Sequence, residues 1–360
     1  MSEADFRRGL LGWYRVHHRR LPWRETRDPY RIWVSEVMLQ QTTVQAVLPY
    51  YAEWLKRYPD IESLSRAPLT KILRSWQGLG YYQRARNLRA AAKVLVRDFG
   101  GRIPQDLGTL RKLPGFGPNT AAAVLSLAFD LPYPVVEANV RRVMMRLLRL
   151  PGESGAHQDK LLRGRLEALF PRRDPGLFNQ AMMELGALVC RSRQPQCLAC
   201  PVTAHCRAYE HGDQEIIPRP RKTSVKRFDA VIAVISRGGK YLIQKRPGTG
   251  LLAGLWEFPG GKVEPGESRE RALGREVGEE LGAELLAASF LLKVKHAYTR
   301  FEVTLYVYDC KLKKGPFLRR PDLRWVGLKS LRHYPFPSGS AKIVDFLEKQ
   351  LTIEHKDDFY

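Results

Sequence analysis

Residues 113–142 decide the reading of this chain. They run Leu113-Pro114-Gly115-Phe116-Gly117-Pro118-Asn119-Thr120, an apolar stretch over 121–128, a turn at 130–134, and Val135-Val136-Glu137-Ala138-Asn139-Val140-Arg141-Arg142. Pro114 stops a helix, and two glycines one residue apart permit positive φ and close backbone approach. The alanine-rich helix that follows opens with N–H groups that have no partner inside it. Such a start suits a phosphate. A plain helix–helix connection uses the same residues, so the turn alone leaves both readings open. Glu137, a carboxylate one short helix later and beside a basic helix start, tips the stretch toward chemistry.

Outward from that stretch, 360 residues are enough for two or three domains with cores of their own. Sixty Lys and Arg against 37 Asp and Glu give a formal charge of +23, and the pI is near 10.0. A polyanion is the natural partner, bound with strong salt dependence through counterion release. No apolar run approaches the ~18 residues of a membrane span. The charged segment 1–20 lacks the apolar core of a secretion signal. Five cysteines, four of them clustered, do not read as a disulfide framework. The expectation is a cytoplasmic, nucleic-acid-facing protein.

Before the deciding stretch, Phe6, Leu10, Leu11, Trp13, Tyr14 and Val16 recur among arginines as an amphipathic helix over 6–19, which Leu21-Pro22-Trp23-Arg24 breaks. Residues 31–42 read as a mostly apolar helix holding one carboxylate, Glu36. Desolvation raises an acid in such a place toward a useful general-acid value. A capping or ion-paired glutamate fits the spacing as well. Gln40-Gln41-Thr42 at its end offers amides that can replace base-pair hydrogen bonds, or be surface polars. Gly78-Leu79-Gly80-Tyr81-Tyr82-Gln83-Arg84-Ala85-Arg86-Asn87 combines a glycine turn, two aromatics and alternating arginines. That mixture stacks on bases and holds phosphates, or else is a core aromatic pair beside a solvated face.

After the deciding stretch, a helix over 178–189 runs into Cys190-x6-Cys197-x2-Cys200-x5-Cys206. Four thiols on one compact loop imply a metal centre. Zinc ribbons usually carry two Cys-x2-Cys knuckles and only one is present, which favours a [4Fe–4S] cluster over zinc.

Taken together, residues 1–210 resemble the MutY family of adenine glycosylases, within the helix-hairpin-helix superfamily of base-excision DNA glycosylases. The resemblance rests on Ser-Glu-Val-Met-Leu-Gln-Gln-Thr, Gly-Leu-Gly-Tyr-Tyr-x-Arg-Ala-Arg-Asn-Leu, the hairpin and the cysteine spacing. It implies removal of adenine mispaired with 8-oxoguanine or guanine in double-stranded DNA. By position, Glu36 is the acid/base that protonates adenine N7 and activates water, with Glu137 and Asn139 completing the catalytic set. Arg19, Trp23, Arg24 and Gln180 line the adenine pocket. Leu39, Gln41 and Tyr81 contact the duplex, and Gly115, Gly117 and Asn119 belong to the hairpin's DNA contact. Two departures stand out. The family's Asp-Gly-Asn is Glu137-Ala138-Asn139 here, and a glutamate keeps the charge but adds a methylene. At Asn119, where many relatives carry Tyr or Ser, endonuclease III relatives carry a Schiff-base lysine. Without an amine, lyase chemistry is disfavoured and monofunctional hydrolysis expected.

From Phe228 the pattern changes to short strands, at 231–235 and 241–244 around Gly238-Gly239, as in a β-hairpin. Gly261-x5-Glu267-x7-Arg275-Glu276-Val277-x-Glu279-Glu280-x-Gly282 then matches the whole Nudix signature. Glu276, Glu279 and Glu280 share one helix face, an array that suits Mg²⁺ and a diphosphate. In MutY relatives the Nudix-like domain recognises 8-oxoguanine instead. By position, Tyr298, Thr299 and Arg300 fall in the loop that contacts it. Cys310, in an apolar strand, is expected buried and inert.

The architecture expected is multidomain. An all-α helix-hairpin-helix glycosylase domain spans 1–210, with the [4Fe–4S] loop at 190–206. A linker at 211–227, an α/β Nudix-like domain at 228–351 and a tail at 352–360 follow. The first domain should begin in the lobe that holds the cluster, cross into the hairpin lobe, and return near Val136. A monomer of bacterial type, associated with the nucleoid and not with a membrane, is expected. Nudix pyrophosphohydrolase activity on oxidised nucleotides is one alternative, and a catalytically weak mispair sensor limited by Glu137 is another.

Overall fold

The computed structural model describes residues 2–155, 158–219, 225–250, 252–298, 301–313 and 320–357, and the side chains of these other than Tyr298 and those beyond 350. The chain divides into two compact units. One comprises 1–67 and 87–222, the other 68–86 and 223–360. Among the described residues no helix is long and apolar enough to cross a membrane.

The first unit is helical. In order come α1 (Glu3–His17), α2 (Pro29–Met38), α3 (Val44–Arg57), α4 (Ile61–Arg66), α5 (Leu69–Ser75), α6 (Gln83–Phe99), α7 (Leu107–Lys112), α8 (Pro118–Phe129), α9 (Ala138–Leu147), α10 (Asp159–Leu169), α11 (Pro175–Leu188) and the short α12 (Arg207–Glu210). Of these, α5 and the start of α6 belong to the second unit. A capping box between Ser2 and Asp5 starts α1. Phe6, Leu10 and Tyr14 then share one helix face, buried against Val140, Met144, Leu162, Leu166, Phe178 and Leu185. The first helix therefore packs with those that follow Val136, as expected. A second set, in which α2 packs on α3 and α8, carries the hairpin. Gly186 lets α11 press on the start of α9, since a Cβ there would lie 2.6 Å from Asn139 Cβ.

Within 211–227, Ile217 is buried in the core of the first unit, Asp213 pairs with Arg149, and Arg219 N donates to Gly152 O at 2.8 Å. Residues 220–224 lie outside the described residues.

The second unit is built on a mixed sheet. Its strands are β1 (Lys226–Arg237), β2 (Lys240–Lys245), β3 (Trp256–Glu257), β4 (Gly260–Lys262), β5 (Leu285–Tyr298), β6 (Phe301–Leu312) and β7 (Leu323–Gly327). The order is β3-β2-β1-β6-β5, with β4 on β1 and β7 on β2. The β1–β6 pairing is parallel, and β1 and β2 form the expected hairpin around Gly238-Gly239. Alternation along β1 feeds two cores. Val231, Ala233 and Ile235 face α13 (Arg269–Leu281) with Leu273, Val277 and Leu281. Ala230, Ile232 and Val234 face the other layer, α14 (Leu328–Leu331) and α15 (Ser338–Asp357). Each fully buried Val, Ile or Leu there contributes about 1.5–3 kcal/mol relative to exposure. Cys310 on β6 is buried, and desolvation pushes its thiol up to about 12.

Candidate active site

A cavity of about 660 Å³ opens within the first unit. Its walls come from the loop after α1 (Arg19, Trp23, Arg24), from α2 and its C-terminal turn (Glu36, Leu39, Gln41), from the N-terminus of α8 (Gly117, Asn119), from the start of α9 (Glu137, Asn139) and from α11 (Gln180, Glu184). The structure thus brings most of the expected residues of this unit into one place. Gly115 lies outside the lining. It closes the hairpin turn at φ +81, where a Cβ would meet Asn87 Cβ at 2.8 Å. Phe116 between the two glycines stacks on Trp33 with centroids 5.0 Å apart, which docks the hairpin on α2.

Glu36 owes its place to Asp28, which caps α2 through Tyr30 N and Arg31 N. The residues on either side of it, the polar Ser35 included, are buried. Burial, and then the neighbouring charge of Glu137, raise its carboxyl to about 7 against the pull of Arg24. Glu137 is the N-cap of α9, accepting from Val140 N at 2.9 Å. A carboxylate suits that helix end. Asn139 Oδ1 accepts from Arg142 Nη2 at 2.9 Å, and Arg142 also donates to Gly186 O and Cys190 O.

One residue that the sequence reading missed anchors the pocket. Glu184 has no exposed side-chain surface and binds Arg19 and Arg24 together, with Arg19 Nη2 and Arg24 Nη2 each 2.7 Å from its Oε2. Burial alone would raise its carboxyl, but the hydrogen bonds from Arg19 and Arg24 win and hold it at about 2. Tyr14 donates to Gln180 Oε1 at 2.6 Å and lies under Arg24. Glu184 sits four residues after Gln180, one helix turn on, and that spacing is the signal that could have found it.

Gln41 adopts a left-handed backbone at φ +57 on the exposed end of α2. Tyr81, in the second unit, does so at φ +47 and is 43% exposed. Tyr82 is buried and donates to Phe336 O at 3.1 Å, so the two tyrosines part ways. Arg84 turns inward, donating to Leu79 O and Gly80 O and stacking on Trp76. Thr299, Arg300 and the side chain of Tyr298 lie outside the described residues.

Cys190, Cys197, Cys200 and Cys206 are half-buried and unpaired by disulfides. After desolvation, the charges of Cys190 and Cys206 push the Cys197 and Cys200 thiols up, so the four sulfurs share one neighbourhood. Arg146 reaches Cys190 Sγ at 3.2 Å. Among the described residues no three His, Cys, Asp or Glu side chains converge on one ion position. Four thiols on one loop are a donor set of the kind that zinc or an iron–sulfur cluster takes. The Nudix carboxylates are otherwise committed. Arg275 bridges Glu267, Glu276 and Glu279, and Glu280 accepts from Gln244 Nε2 and Gly260 N at 2.7 and 2.8 Å.

A hairpin-bearing helical fold with Glu36 and Glu137 lining one cavity is that of a base-excision glycosylase. Residues 34–171 match the HhH-GPD superfamily of base excision DNA repair proteins, and 230–346 match the NUDIX domain family. The structure of a thermostable thymine-DNA glycosylase is 32% identical and covers 58% of this chain and 97% of its own, with a TM-score of 0.53. The adenine DNA glycosylase of Mus musculus is 35% identical over 89% of this chain and 73% of its own length. That of Buchnera aphidicola subsp. Acyrthosiphon pisum is 30% identical over 98% and 100%. The chain belongs to the adenine DNA glycosylase family.

Proposed function

We propose that this protein is a monofunctional glycosylase that hydrolyses the N-glycosidic bond of adenine paired with 8-oxoguanine or guanine in double-stranded DNA. The observation that carries the reading is Glu36, a carboxyl raised to about 7 in the cavity that Glu137 also lines. Extruding the adenine costs a few kcal/mol of unstacking. Arg19, Trp23, Arg24 and Gln180 receive the base, while Leu39 and Gln41 of the first unit and Tyr81 of the second each contact the duplex. Gly115, Gly117 and Asn119 form the hairpin's contact to a backbone phosphate, the contact that the +23 charge favours.

Glu36 gives its proton to adenine N7, and the bond from C1′ to N9 breaks with both electrons leaving on the base. Glu137 opposes the positive charge left on the sugar, and Asn139 steadies the same helix start. Water attacks C1′ and returns a proton to Glu36, leaving an abasic site. No amine stands at position 119, which supports hydrolysis without strand cleavage.

The four cysteines would hold a [4Fe–4S] cluster, which ties the loop 190–206 together when bound. We assign 1–210 to catalysis, 211–227 to a connection, and 228–351 to recognition of 8-oxoguanine through Tyr298, Thr299 and Arg300, with 352–360 a tail. The chain acts as a monomer in the cytoplasm, on the nucleoid. The test is single-turnover base release from a duplex with one 8-oxoguanine·adenine pair. Adenine release with strand breakage only after alkali is expected. Breakage without alkali would overturn the monofunctional assignment, and tight binding without release would overturn the enzymatic one.

A further inference from the structure

The peptide just ahead of Glu137 is held by side chains from four helices. From α8, Asn119 Nδ2 donates to Val136 O at 2.8 Å, and Val136 N donates to Asn119 Oδ1 at 3.2 Å. This paired bond fixes both polar groups of one residue. From α11, the buried Asn179 accepts from Val135 N at 3.1 Å and donates to Tyr133 O at 2.9 Å. From α10, Arg163 donates to Pro134 O and, at 3.2 Å, to Asn119 Oδ1. Arg141, itself gripped by Asp159, adds a longer bond to Val136 O at 3.4 Å.

Glu137 follows Val136 directly, and its carboxylate is tied at the far end to Val140 N. A glutamate has one more torsion than an aspartate, so its carboxylate is the less constrained of the two. What limits it here is the anchoring of the backbone behind it. Asn119 has its carbonyl oxygen shared between Val136 N and Arg163, and its amide nitrogen committed to Val136 O. We infer that Asn119 is a positioning residue for the Glu137 carboxylate, acting through the Val136 peptide. The inference rests on the assignment of Glu137 to the cationic sugar. A carboxylate displaced by ~1 Å loses about a hundredfold in rate, so slack at Val136 is felt at the reaction centre.

The probe is a pair of duplexes carrying 8-oxoguanine opposite either a cationic pyrrolidine abasic analogue or a neutral tetrahydrofuran one. The first resembles the charged sugar, the second does not. The natural protein should prefer the cationic duplex. Asn119→Ala should reduce that preference, the ratio of the two affinities, about tenfold and slow single-turnover release by about ten- to a hundredfold; any loss of the hairpin's phosphate contact is common to both duplexes and cancels in the ratio. In a Glu137→Gln background the preference should already be lost, and adding Asn119→Ala should change nothing more. Asn119→Asp, which keeps the acceptor for Val136 N and Arg163 but loses the donor, guards against a folding defect and should fall between. An unchanged preference in both Asn119 variants would overturn the inference, as would equal weakening on both duplexes. If the natural protein itself shows no preference for the cation, the role given to Glu137 fails instead.

Discussion

Glu36 and Glu137 enter one cavity from α2 and α9, and the charge of the second is, after burial, the main reason the first is raised to about 7. Two carboxyls in one place resist ionising together, so their roles divide. The group in the apolar helix keeps its proton, while the group at the helix N-terminus is the better place for charge.

In the proposed mechanism the proton on Glu36 is needed when the base leaves. Single-turnover release should therefore hold on the acid side and fall about tenfold per pH unit once pH exceeds about 7. Glu36→Gln should abolish release while binding of the mispaired duplex stays nearly intact. Loss of release and binding together would sink the catalytic role and leave a structural one.

The same shift has a stability consequence of fixed sign. The Glu36 carboxyl is raised from an ordinary 4.5 to about 7 in the folded protein. Stability is thus undiminished below pH about 4.5 and is lost as pH rises through about 7, where the buried acid is forced to ionise. Glu36→Gln carries no such charge. Thermal scans should find the variant more stable than the natural protein at pH 8 and close to it at pH 5. A constant offset at both values would contradict the burial argument.

Glu184 makes a prediction of opposite sign. Its carboxyl is held at about 2, so its contribution is present above pH about 4.5 and fades as pH falls toward 2. Glu184→Gln leaves two guanidiniums facing a weaker acceptor, at a cost on the order of 3 kcal/mol, less whatever Arg19 recovers from water. With side chains 37% and 12% exposed, Arg19 can turn to solvent and Arg24 cannot. Arg24→Ala should therefore destabilise the helical unit more than Arg19→Ala in denaturant unfolding followed by helical signal, and equal losses would argue against the shared anchor.

The sequence was readable where chemistry imposes local spacing. Glu36 in its apolar helix and the two glycines of the hairpin keep their place in the fold. So does the alternation along β1 that divides Val231 from Ile232. It was silent where function depends on distant partners. Glu184 looked like any helical glutamate until Arg19 and Arg24, more than 150 residues away, closed on it. Asn119 was legible as a departure from its family, but its pairing with Val136 is a tertiary fact. Arg84 lay in a basic run that suits phosphate, and only its bonds to Leu79 O and Gly80 O show it turned inward.

The cysteine loop reaches the start of α9 through Arg142, which donates to Cys190 O at 2.8 Å and to Asn139 Oδ1 at 2.9 Å. Arg146 adds bonds to Cys190 Sγ and Arg191 O. A loop whose regular structure is limited to two short 3-10 turns, Cys197–Ala199 and Thr203–His205, holds these acceptors in place only if something holds the loop. Four thiols do so when they are joined through a cluster. Cys200→Ser should yield protein with less iron and acid-labile sulfide in parallel and without their visible absorbance. It should melt lower and release adenine more slowly, because Asn139 and Glu137 share the loosened helix start. Zinc in place of iron in the natural protein would overturn the cluster assignment. Full activity with the metal gone would show that Arg142 holds the helix start without help from the loop.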